Sequence, residues 1–136
     1  MTRMSSKLCV DRIVPLLNRP WTYRRSFPGM EMFVSYCRAH LDQVEPETSF
    51  QWEEKRPASF LSLWDCSRVL HFANLLREGR DIDHIDVMGY YLHSGPSIEL
   101  YDGYHRLTAH VIAEQDWVPA EYSGHADTYN YLTGQD

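Results

Sequence analysis

Long apolar runs are missing from this 136-residue chain. No stretch approaches the roughly 18 residues that a membrane-spanning helix needs, and the apolar patch near the start is broken by Asp11 and Arg12. The expectation is a cytoplasmic protein with neither a membrane span nor a secretory leader. Cysteine is scarce: Cys9, Cys37 and Cys66 lie far apart with no CxxC pair, which excludes a structural zinc site or a disulfide framework by spacing and fits a reducing compartment. Lysine is absent from Pro57 to Asp136, so any cation that binds or catalyses there must be Arg68, Arg77, Arg80, Arg106 or a metal ion. HExxH, Walker A and GxSxG sequences are absent as well, and so are internal repeats and low-complexity tracts.

What is present suffices for one ordinary domain, since 43% hydrophobic and 13% aromatic residues can bury a real core. Charge is unevenly spread. Residues 1–40 hold seven Lys or Arg against two acids, residues 41–56 two against five, and residues 57–136 four against twelve. A mostly acidic body disfavours broad attraction to nucleic acid, leaving a basic face only to the amino-terminal lobe.

Periodicity divides the chain into an amino-terminal lobe (1–60), a core (61–124) and a polar tail (125–136). "LCVDRIVPLL" reads as a first strand ending at Pro15, and "RPWTYRRSFPGM" as a loop rich in Pro and Arg. Met30, Phe33, Val34, Cys37 and Leu41 recur at helical spacing, which predicts a helix from Met30 to about Val44. Residues 45–60 read as a surface loop. In "LWDCSRVLHFANLLREG", Val69, Phe72, Leu75 and Leu76 share a helical face, Asp65 or Ser67 can cap the start, and Gly79 closes the end. "DIDHIDVMGYYL" alternates as a half-buried strand with Ile82, His84 and Asp86 on one face. "HSGPS" turns into a second strand, "IELY". A polar bend, "DGY", then opens the helix "YHRLTAHVIAEQ", with Tyr104, Leu107, Thr108, Val111 and Ile112 as its buried stripe. "WVPAEYSG" is the last strand, and the polar, Tyr-rich tail reads as partly disordered. The class expected is α+β, a small mixed sheet with packed helices.

The bend carries more chemistry than a connection requires. The start of a helix leaves backbone N–H groups unpaired within the helix and carries partial positive charge, so it can seat a phosphate. Gly103 permits a positive φ and close approach of a ligand, Arg106 adds a fork of donors, and His105 can donate and change protonation near neutral pH. Asp102 can hold magnesium through waters, orient His105, or accept a proton from a hydroxyl; it is equally suited to cap the helix. Elsewhere, His84 and Asp86 in "DHID" can bind a divalent metal together, or they can simply be polar residues of an edge strand.

The order "LLREGRDIDHIDV" followed by "IELYDGYHRLTAHVIAEQDWVPAEYSG" resembles the ParB/sulfiredoxin superfamily. Gly103, Arg106 and Ala109 match its G-x-x-R-x-x-A pattern, and Asp102 to Arg106 match D-G-x-H-R. The likeness covers residues 62–124 well and residues 9–27 weakly. It implies the superfamily's fold and a turn that cradles nucleotide phosphates. Tyr104 stands where sulfiredoxins place their cysteine nucleophile, and no residues remain for the separate DNA-binding domain of partition proteins. The D-G-x-H-R form is more similar to the family's small phosphotransferases and to its plasmid- and phage-borne nuclease or ATPase proteins.

The resemblance therefore implies a nucleoside triphosphate, ATP or CTP, with magnesium. Gly103, Tyr104, His105, Arg106 and Arg80 hold its phosphates in this reading, and Asp102 positions metal or nucleophile with His105 as the second catalytic residue. The rival expectations are a non-enzymatic interaction protein that keeps the fold, and a nuclease whose basic lobe engages the polymer. Trp21, Trp52 and Tyr129 are the aromatics that would mark a homodimer or protein partner.

Overall fold

The computed structural model describes residues 4–17, 30–39 and 58–135. Its elements run β1 (Met4–Cys9), α1 (Val10–Ile13), a short 3-10 turn (Val14–Leu16), α2 (Met30–Ala39), α3 (Ala58–Arg77), β2 (Ile85–Leu92), β3 (Gly95–Asp102), α4 (Tyr104–Ile112), β4 (Trp117–Gly124) and α5 (Ala126–Leu132). The four strands form one mixed sheet in the order β1-β4-β2-β3. β1 is antiparallel to β4, β4 parallel to β2, and β2 antiparallel to β3. The class is α+β, and among the described residues no helix is long and apolar enough to cross a membrane.

A two-residue period organises the sheet. Register places Leu8 beside Val118, Ala120 beside Ile85, Tyr122 beside Val87, and Val87 beside Leu100, and all of these are buried. The alternate positions, among them Asp86, Glu99 and Glu121, form the opposite and more open face. Helix α4 turns Leu107, Ala109 and Ile112 into the core, where Cys66, Val69, Leu70 and Ala73 of α3 also lie. That α3 set has the i, i+3, i+4, i+7 spacing of a helix seam. It is rotated from the expected face, because Phe72 and Leu76 are only partly buried at its margin.

Several expectations need correction. The first strand ends at Cys9, and "VDRI" is helical, with the Val10 amide donating to the Asp116 carbonyl at 2.9 Å. Helix α3 starts at Ala58, so residues 58–60 are not loop, and Asp65 and Ser67 sit inside the helix rather than capping it. Its far end behaves as expected: Gly79 has φ +78°, with Gly79 N–H donating to Leu76 O and Arg80 N–H to Leu75 O, a Schellman ending.

β2 begins at Ile85, leaving residues 81–84 outside the strand, and it lies in the interior of the sheet, not at an edge. The tail is helix α5. Its Thr128 and Leu132 are fully buried, and Tyr129 donates to Ser6 Oγ at 2.9 Å. Helix α2 is described to Ala39. The extension expected to Val44, the Arg19, Arg24 and Arg25 loop, Trp21, Trp52 and residues 45–57 lie outside the described residues.

Candidate functional site

The polar bend is built by a break in strand register. Val87 faces Leu100 while Asp86 faces Asp102, so β3 carries an additional residue, Tyr101, at its end. Such a bulge bends its strand, and here the bend delivers Asp102 to the start of α4. Gly103 is the N-cap residue, with φ +105°, a conformation that L side chains rarely adopt. A Cβ on Gly103 would fall 2.6 Å from Ile85 Cγ2. The room left by the missing side chain is thus filled by the sheet, and the glycine is a requirement of the fold itself. Asp102 does not cap the helix; the N-cap residue has no side chain with which to do so.

Arg106, one turn into α4, is committed to the protein. Its Nη2 donates to Asp102 Oδ2 at 2.9 Å and its Nη1 to the carbonyl of His84. The guanidinium therefore ties the end of β3 and the residue before β2 to the first turn of the helix. With a side chain only 17% exposed, it is a bracket across three segments as well as a charge.

A cavity of about 450 Å³ opens at this end of α4. Its lining includes Asp102, Gly103, Tyr104, His105 and Arg106 from the bend, Arg68 and Phe72 from α3, and Asp83. Arg68 stacks over the Phe72 ring at 4.8 Å. Burial, and after it the Arg106 cation, lower the Arg68 pKa, so two guanidinium charges bear on one another at this mouth. Of the expected phosphate ligands, the structure brings Gly103, Tyr104, His105 and Arg106 together. Arg80 is exposed beyond the end of α3 and is not part of the cavity lining; Arg68 holds the second cationic position instead.

Two further features depend on tertiary structure. His84 Nε2 lies 3.5 Å from Asp86 Oδ1 and 3.7 Å from Glu121 Oε1, and its Nδ1 lies 3.8 Å from Asp83 Oδ1. Asp86 and Glu121 are register partners across the parallel β2–β4 pair. Glu121 went unnoticed in the sequence because nothing local announces which strand lies next to β2. His110 is 3% exposed, neither ring nitrogen finds a hydrogen-bond partner among the described residues, and burial lowers its pKa to about 4.

No family model, curated protein or solved structure matches the chain.

Proposed function

We propose that the cavity at the start of α4 binds the phosphates of a nucleoside triphosphate, ATP or CTP with magnesium, on a domain of the ParB/sulfiredoxin type. Hydrolysis or phosphoryl transfer is the activity this binding would serve. One observation carries the reading: the first turn of a helix, a second guanidinium at Arg68 and the imidazole of His105 converge on one open cavity next to a D-G-x-H-R turn.

In this reading the backbone at Gly103 and Tyr104 meets phosphate oxygens at the positive end of the helix dipole, and Arg68 supplies the fork of donors. Arg106 holds the turn in shape through Asp102 and the His84 carbonyl, and adds field without surrendering those bonds. Magnesium bound with the nucleotide would neutralise charge on the outer phosphates, and Asp102 and Asp83 are the carboxylates that line the cavity. His105 is the imidazole in the lining and the general acid–base candidate of this reading.

Thermal unfolding of the parent protein with magnesium and ATP or CTP tests the reading. A rise in Tm with one of them is expected, and Arg68→Ala removes that rise, measured against the variant's own unliganded Tm. Release of γ-phosphate from the same nucleotide checks the activity. A parent protein indifferent to both nucleotides, or an Arg68→Ala variant that responds as the parent does, overturns it.

A protein-binding module is the second reading, favoured by one feature of the β2–β3 hairpin. Tyr91, Leu92 and Tyr101 are each more than half exposed, with Tyr90 beside them. Sedimentation of the parent and of a Tyr91→Ser/Leu92→Ser variant separates the readings. Self-association that the variant abolishes supports the module, and a monomeric parent counts against its homodimeric form.

A further inference from the structure

We infer that His84, Asp86 and Glu121 form a divalent transition-metal site, distinct from the α4 cavity, that takes zinc or manganese. This inference does not rest on the nucleotide reading. One donor atom from each residue lies within 4.8 Å of the other two. Donor atoms gathered around a single ion at bond lengths of roughly 2.0–2.2 Å sit about 3 to 3.5 Å apart. His84 Nε2 is 3.5 and 3.7 Å from the two carboxylate oxygens, so small side-chain movements convert the observed triangle into one face of a coordination shell.

The frame supports this placement. Asp86 and Glu121 project from facing positions on two interior, hydrogen-bonded strands, so their separation is set by the sheet and not by flexible loops. A divalent cation seated between the two carboxylates would be attracted by both. The third ligand is held by its own backbone, because the His84 carbonyl accepts from Arg106. Its side chain is fixed neither by that bond nor by a helix, which leaves the ring able to close on an ion.

Ligand chemistry selects the metal. An imidazole with two carboxylates suits zinc or manganese, whereas magnesium is bound by oxygen ligands alone. Three protein ligands leave coordination positions open, as in catalytic and not structural sites. Asp86 and Glu121 also line a cavity of about 280 Å³ together with Tyr101 and Ser123, so the open positions have space for water or a small oxygen-donor ligand. Both carboxylates are a little under one-third exposed, which admits an ion from solvent while lowering competition from bulk water.

The test uses the full chain, stripped by chelator and titrated with cobalt(II) as a spectroscopic substitute for zinc, and with zinc or manganese alone. One equivalent should bind saturably, with visible d–d absorption for cobalt that zinc displaces, while magnesium at the same concentration fails to displace it. Asp86→Asn, Glu121→Gln and His84→Gln should each weaken binding at least tenfold, and His105→Gln should leave it unchanged. Circular dichroism of each metal-free variant should match the parent, so that lost binding reports on the ligand and not on the fold.

Absence of saturable binding overturns the site, as does binding that survives both carboxylate substitutions or follows His105 instead. Nucleotide binding can fail with this site intact, and the reverse also holds, because Arg68→Ala touches only the first and Glu121→Gln only the second.

Discussion

Gly103 combines two demands that are usually separate. Its φ of +105° would strain any other residue, and its absent side chain makes way for Ile85. An alanine there would meet a strain of about 1–3 kcal/mol from the backbone, with overpacking against Ile85 adding a comparable amount. Gly103→Ala should therefore lose roughly 2–6 kcal/mol in a denaturant titration whether or not any nucleotide is present. Ile85→Ala, which removes the Cγ2 methyl, should cost less in the Gly103→Ala background than in the parent, because it relieves part of the overpacking and none of the backbone strain. A Gly103→Ala protein as stable as the parent would mean that the turn relaxes to another conformation. Arg106 makes a related case. Arg106→Ala breaks a bond to Asp102 and a bond to the His84 carbonyl, so it should lower the unliganded Tm. Arg106→Lys should rescue little, because an ammonium cannot span two acceptors as a planar fork does.

At the scale of elements, the parts legible in the sequence are those whose signal is local. β4 is Trp117–Gly124, as "WVPAEYSG" reads, because alternation and Gly124 bound it. The end of α3 was legible for the same reason, since Gly79 closes a Schellman motif made by its immediate neighbours. The start of α3 was not, because Ala58 follows a proline in a polar stretch that reads equally well as loop. The tail misled most. "ADTYNYL" has few aliphatic residues, yet its Thr128 and Leu132 are buried and the Thr128 hydroxyl donates to the Tyr90 carbonyl. Composition cannot foresee a helix whose stability comes from docking onto a sheet. The docking has a measurable consequence: Leu132→Ala should cost about 2–5 kcal/mol, the usual range for emptying a fully buried leucine site. Exchange of the α5 amides should accelerate with it. A loss below about 1 kcal/mol would show that α5 contributes little to the sheet it covers. The candidate sites divide in the same way. The D-G-x-H-R turn is contiguous and could be read, whereas Glu121 joins His84 and Asp86 only through the parallel β2–β4 register.

For the molecule as a whole, the buried imidazole of His110 links stability to pH. Burial depresses its pKa from the ordinary 6.5 to about 4, so the neutral ring is the form that the core accepts. Above about pH 6.5 neither the folded nor the unfolded chain holds a proton there, and the residue adds no pH dependence. As pH falls from 6.5 toward 4 the unfolded chain takes up a proton that the folded one refuses, so stability declines across that window and levels off below it. With the linkage value reduced for residual solvent screening, the loss from this one group is on the order of 2 kcal/mol. His110→Leu has a similar volume and removes two nitrogens that lack partners among the described residues. It should match or exceed the parent's stability at pH 7.5, because replacing an unsatisfied buried polar group with an apolar one is neutral or favourable. Urea titrations of both proteins at pH 7.5, 6.0 and 4.5 check this. The parent should lose stability more steeply with acid, and the gap between the two proteins should widen between pH 6.5 and 4. Parallel pH profiles would mean that His110 is protonated in the folded chain, and that an anionic partner reaches a ring otherwise enclosed by the core.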